Sequence, residues 1–248
     1  MRRLAAVVLI VLGAAVILGR GHAFASIVFG RSKTTTTAIT EPITSIVVTA
    51  GNGDVHVRSG SETSVKRTEH WLFTRPRVSV SQSNGVLRVS AHCPAQIFNH
   101  CSVDFTATVP AGTDATVTTT NGDVGVSGLD GPRVGVRTTN GDVELTRLAS
   151  DLVKAETTNG DVSAMHVRGP LDVQTTNGDV QVSMDDKGSA TLKTNNGDVG
   201  LSVPSGGYAV DVHTNNGDVT KHGITEDSSA GDTLSVRTNN GDVTITGR

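Results

Sequence analysis

The sequence predicts an all-β protein, a β-solenoid of coils about 19 residues long with Asn-Gly-Asp-Val corners, preceded by one N-terminal hydrophobic helix. Three observations carry this expectation. Val and Thr supply 68 of the 248 residues, and β-branched side chains fit a pleated sheet better than a helix. The tetrapeptide Asn-Gly-Asp-Val recurs eight times. Apolar residues alternate with polar ones at period two around it, as in strands with one buried face. With seven aromatic residues in the whole chain, the core must be thin and aliphatic.

Taken in chain order, Arg2 and Arg3 precede an uncharged run over residues 4–19, which Arg20 closes. At 1.5 Å per residue the run covers about 24 Å, against a hydrocarbon core of roughly 30 Å. A membrane span must therefore also use residues 23–29 and let Arg20 snorkel. The alternative is a cleaved signal, since Ala23-Phe24-Ala25 has the small-x-small form of a processing site and places the cut between Ala25 and Ser26. Both readings keep the basic N-terminus in the cytoplasm and export the chain beyond Phe29. The protein is expected either as a single-pass protein of the cell membrane with its C-terminal domain extracytoplasmic, or as a secreted one. Loss of residues 1–25 takes the net charge from -3 to -6. That charge, without clustered Lys and Arg, excludes nucleic acid as a partner. After this anchor or signal (residues 1–30), residues 31–42 contain an unbroken Thr34-Thr35-Thr36-Thr37 and read as a Thr-rich polar linker; a frayed first strand is the competing reading.

Residues 43–118 read as irregular N-terminal coils. The first Asn-Gly-Asp-Val begins at Asn52, and a degenerate copy over Val78, Val80, Asn84, Gly85, Leu87 and Val89 fits the same frame. Between them His70-Trp71-Leu72-Phe73 contains the single Trp and reads as a sugar- or protein-binding surface, or as a plug for the end of the solenoid. Cys93 and Cys101 interrupt the coils. Across the membrane so close a pair is most simply a disulfide. The doublets His92-Cys93 and His100-Cys101 supply four nominal zinc ligands without the usual finger spacing.

Residues 119–248 read as regular β-solenoid repeats. The corners fall at Asn121, Asn140, Asn159, Asn177, Asn196, Asn216 and Asn240, at steps of 19, 19, 18, 19, 20 and 24 residues. Thr stands two residues before each of these Asn, an aliphatic residue four and six before, and Val three after. By that parity the Asn points inward, and the inward set changes phase across Gly-Asp, as at a corner. Gly is required there because the chain must take a positive φ. Asn-Gly is also a hairpin signal, so an antiparallel meander is the rival architecture. Only a stack explains identical polar residues at identical sites, since in-register Asn about 4.8 Å apart can form a ladder. The Asp of each motif forms an outward column, either capping corner N–H groups or, as weak candidates, binding calcium through Asp123, Asp142, Asp161, Asp179, Asp198 and Asp218.

Tandem Thr-(Thr/Asn)-Asn-Gly-Asp-Val coils behind an apolar segment, with a two-Cys insertion upstream, resemble the bacterial adhesin-like family called domain of unknown function 4097. The resemblance extends from about Ile43 to Ile245 and implies a β-solenoid of the cell envelope with no catalytic residues attached. Lys221 departs from the inward pattern where the step lengthens to 24, which predicts a bulge over residues 221–231.

No G-x-S-x-G elbow, H-E-x-x-H or phosphate loop is present, so no catalytic residue, cofactor or resident metal is expected. The sequence therefore points to a non-enzymatic envelope protein that meets a surface protein or glycan. Two alternatives stand beside it. One is a bactofilin-like scaffold assembling end to end, suggested by a last strand with no visible cap. The other is a β-helix polysaccharide-acting enzyme, which would need a few coils chemically unlike the rest.

Overall fold

The computed structural model describes residues 30–94 and 100–248. The expected hydrophobic helix and the Ala25/Ser26 processing site lie outside these residues. Among the described residues, no helix is long and apolar enough to cross a membrane. The described residues form two sheets of 11 strands each.

In the regular array each coil gives one strand to each sheet. One sheet stacks Asp114–Thr118, Arg133–Arg137, Leu152–Glu156, Leu171–Gln174 and Ala190–Lys193 in parallel. The other stacks Val124–Ser127, Val143–Ala149, Val162–Arg168, Val180–Met184 and Val199–Val203. Register is strict: Val134 lies beside Ala115 and Val153, and Val143 beside Val124 and Val162. These inward residues are buried and meet between the sheets, forming a continuous aliphatic core. Each such side chain contributes about 1.5–3 kcal/mol when fully withdrawn from water.

Pairing continues through the corner, where each Asn bridges the Asn of the neighbouring coils. Gly122 shows why Gly is needed there. Its φ is +139°, and a Cβ added to it would lie 2.2 Å from the carbonyl oxygen of Gly53 in the next coil. The corner therefore demands both an unusual backbone conformation and an unobstructed stack.

Three parts depart from the sequence expectation. Residues 31–42 are not a simple linker: Arg31–Ala38 is an edge strand, antiparallel to Ser64–Trp71 over eight residue pairs. Its Thr-rich sequence lacks apolar alternation because neither face is fully buried. The degenerate copy at Asn84-Gly85 is a hairpin joining Arg77–Ser83 to Val86–His92, and not a corner. Both Asn84 (φ 52°) and Gly85 (φ 75°) are left-handed, the backbone of a two-residue hairpin turn, whereas at the corners only the Gly has positive φ.

The third departure is the order of the last two coils. In one sheet Val243–Gly247 lies between Val199–Val203 and Val219–His222; in the other, Thr233–Asn240 lies between Ala190–Lys193 and Gly206–Asn216. The chain passes the Asn216 coil to the outside and inserts the Asn240 coil beneath it. Lys221 explains the choice, because it occupies the inward position beside Ile245. Any interior coil would bury its ammonium, whereas Leu234, Val236, Val243 and Ile245 are fully apolar and fully buried. The long 24-residue step provides the crossing: Ile224–Glu226 pairs with Gly206–Tyr208 across the end of the stack.

Candidate functional site

The most regular surface of the molecule is the corner edge. Asn216 donates through Nδ2 to Oδ1 of Asn240, which donates to Asn196, and the chain continues through Asn177, Asn159, Asn140 and Asn121 to Asn52, each Nδ2 lying 2.7–2.9 Å from the next Oδ1. Asn52 ends the ladder by donating to the Cys101 carbonyl. The side chains of the regular corners are solvent-exposed and do not point inward as parity implied. The chain already bends at the residue before the Asn, so alternation fails one residue earlier than counted. The inward polar position belongs to Thr, and Thr138, Thr157, Thr175, Thr194, Thr214 and Thr238 each donate to a Gly carbonyl of a neighbouring coil.

The Asp column is likewise tied coil to coil. Oδ1 of Asp54, Asp123, Asp142, Asp161, Asp179, Asp198 and Asp242 each accepts the backbone N–H of the next Asp in the stack, at 2.8–2.9 Å. Each carboxylate therefore caps the neighbouring corner, and not its own. One oxygen per coil remains for solvent. Among the described residues no group of three or more His, Cys, Asp or Glu is placed to hold a metal ion.

The ends of the stack are built differently. At the N-terminal end Cys93 and Cys101 are joined as a disulfide, with Cα atoms 5.7 Å apart, which removes both sulfurs from any zinc site. Next to the edge strand Arg31–Ala38, strand Ser64–Trp71 lies antiparallel to Cys101–Val109. Its inward residues are Val65, Arg67, Glu69 and Trp71. Glu69 is buried, receives two hydrogen bonds from Arg75 and lies 3.1 Å from Arg67. The Arg75 hydrogen bonds hold the Glu69 carboxyl below the usual carboxylate range. Arg75 also sits 5.4 Å from the centre of the Trp71 ring. The end is thus closed by Val65 and this ion cluster, while Phe73, expected in a plug, is 57% exposed.

At the C-terminal end the last strand of the sequence is interior, so the uncapped edge belongs to the Asn216 coil. There Lys221 pairs with Glu226 across the mouth between the two sheets. An inward-pointing charge on an edge strand opposes pairing with another sheet.

One groove breaks the uniformity of the coils. Arg147 (φ 52°) and His166 (φ 58°) occupy the same bulge in successive coils, where Gly128 stands in the coil before. With Leu148, Ala149, Arg168 and Asp185 they line a groove of about 440 Å³. His166 Nδ1 lies 3.1 Å from Asp185 Oδ1, and Arg248 contacts the same carboxylate and the Ser183 hydroxyl. Arg248 thus shares the Asp185 carboxylate with His166. Sequence reasoning missed this bulge, although Gly128 seven residues after Asn121 signals its left-handed backbone. It also missed Glu69, whose signal is an acid at inward parity between two arginines.

Fold and site together define a stacked two-sheet β protein whose repeated polar groups serve the stack itself. The chain belongs to the Toastrack DUF4097 family, which matches residues 16–246. Among solved structures, a candidate adhesin from Bacteroides fragilis superimposes with TM-score 0.56 at 14% identity, covering 88% of this chain and 97% of that one. A candidate adhesin from Parabacteroides distasonis gives TM-score 0.50 at 11% identity, covering 88% and 98%. A structure called a candidate lipid-binding protein, from the same species, gives TM-score 0.48 at 11% identity, covering 87% and 98%. No curated protein matches the chain.

Proposed function

We propose that the protein is a non-enzymatic adhesin-like component of the cell envelope. Its N-terminal segment tethers it to the membrane, or releases it if cleavage follows Ala25, and its repeat surface faces outward. The observation that carries this reading is the unbroken corner edge, which offers the same amide and carboxylate set at eight successive coils. Such a surface suits repeated weak contacts with an equally repetitive partner, a surface protein or glycan, where linkage multiplies affinity. The scaffold alternative is opposed by Lys221 on the open edge.

The deciding experiment measures whether the chain recovered from its host binds cells or matrix while monomeric. Binding by the monomer supports the adhesin-like role. Assembly only with itself, without cell or matrix binding, would transfer the reading to the scaffold.

A further inference from the structure

We infer that the face formed by Arg31, His70, Trp71, Leu72, Phe73 and Arg77 docks on an anionic phospholipid surface, the leaflet facing the domain. The inference rests on the membrane-tether reading of the N-terminal segment. Its first support is position. Trp71 lies directly opposite Arg31 in the antiparallel pair, and Gly30 lies against the Trp71 backbone. Residues opposite one another in such a pair have Cα atoms about 5 Å apart. The domain's single Trp therefore sits beside the point where the chain leaves the apolar segment ending at Phe29. A tether there keeps Trp71 close to the bilayer surface, and docking then takes it to the depth where Trp and Tyr concentrate in membrane proteins.

Chemistry agrees with position. Phe73 is the most exposed large hydrophobic residue among those described, on the same loop as Trp71. Beside them Gly30, Arg31, Ser32, His70, Trp71, Leu72 and His100 line a groove of about 460 Å³, wide enough for a phosphate headgroup. Charge is segregated in the same direction. Residues 30–94 carry eight Lys and Arg against four Asp and Glu, net +4, whereas residues 100–248 carry ten against twenty, net -10. An anionic surface attracts the first part and repels the second. Trp71 is partly buried, with the Arg75 guanidinium over its ring, and lines this groove beside Arg31.

The test reconstitutes the full chain with vesicles of phosphatidylcholine, alone or with phosphatidylglycerol. Flotation reads the tether. Quenching of Trp71 by acyl chains brominated near the headgroup reads the docking, and no other Trp interferes. The expected result is flotation with both vesicles, quenching only where phosphatidylglycerol is present, and loss of quenching but not flotation in high salt. Arg31→Gln with Arg77→Gln should weaken the docked fraction about fivefold per charge. Phe73→Ser should also weaken it, with melting behaviour unchanged. Flotation with both vesicles but no Trp71 quenching in either would overturn the docking face and leave the tether standing. Flotation only with phosphatidylglycerol, lost in Phe73→Ser, would keep the docking and overturn the tether; no flotation at all would remove both.

Discussion

The corner glycines provide the strictest test of the stacked architecture. Consider Gly160→Ala. Gly160 has φ +147°, and a Cβ there would lie 2.1 Å from the Gly141 carbonyl oxygen and 2.5 Å from its carbon. The backbone conformation alone costs of order 1–3 kcal/mol for a residue with a side chain. Relieving the contact requires the two coils to part by about 1 Å, since nonbonded carbon and oxygen rest more than 3 Å apart. That movement stretches Gly141 N–H to Asn159 O, Asn159 Nδ2 to Asn140 Oδ1 and Asp161 N–H to Asp142 Oδ1, all now 2.8–2.9 Å. At about 1 kcal/mol each, their weakening brings the expected loss to about 3–6 kcal/mol. Gly135→Ala is the control: no atom lies within 4 Å of its added Cβ. In a strand that change should stabilise by about 0.5–1 kcal/mol. With about 2–4 °C per kcal/mol for a chain of this size, thermal melting should place Gly160→Ala about 10 °C or more below Gly135→Ala. Melting of the two variants within about 2 °C of each other would refute the close-stacked corner.

Three further outcomes are expected from named contacts. Lys221→Val removes the inward charge from the open edge, and sedimentation should then show more self-association than in the wild type; equal sedimentation of the two would mean that Lys221 is not the guard. Glu69→Gln leaves Arg67 and the half-exposed Arg75 without their shared anion and should cost about 1–3 kcal/mol at neutral pH by urea unfolding. Because the folded Glu69 pKa is depressed, its contribution is complete above the unfolded value of 4.5 and is lost as pH falls through the folded value, so the wild type should lose more stability on acidification than the variant. Asn159→Asp removes the donor to Asn140 and should destabilise by about 1–3 kcal/mol at pH 7 and by less near pH 4, where the carboxyl regains a proton; equal losses at both pH values would count against the amide ladder.

The features legible in the sequence were those the local chain dictates. Inward Val and Thr, corner Gly and the outward Asp arise from a repeat in which every coil meets the same neighbours. Even there, parity misplaced the Asn, because period two holds only while the chain stays extended, and the bend at Thr120 or Thr139 precedes the corner. Asn84-Gly85 shows the limit of a dipeptide signal. It lacks the following Asp, whose carboxylate ties corner to corner, and the preceding Thr, whose place Gln82 takes while donating to Glu41 and Pro42 carbonyls. Without those cross-coil bonds the same Asn-Gly closes on itself as a hairpin. The groove at Arg147 and His166 was not legible, because Asp185 and Arg248 lie in segments that only the fold brings together, whereas Glu69 and Arg75 are close in sequence and show their pairing only once the strand's inward face is known.

The inverted order of the last two coils ties these local rules to the limits of the stack. A solenoid of identical coils has no physical reason to stop, since every edge offers the hydrogen bonds that recruited the previous coil. Here each end is stopped by a different device. The N-terminal edges carry antiparallel strands, Arg31–Ala38 and Arg77–Ser83, that break the parallel corner geometry, and the Asn ladder ends on a backbone carbonyl held by the disulfide. At the other end the parallel geometry persists, and among the described residues no donor reaches Asn216 Oδ1 or the Asp218 carboxylate. That end could accept another coil, so protection falls to Lys221 and Glu226 alone. The coil least fit for burial has been placed last in space though not last in sequence. An inward charge on that outermost strand opposes pairing with the edge of a second copy.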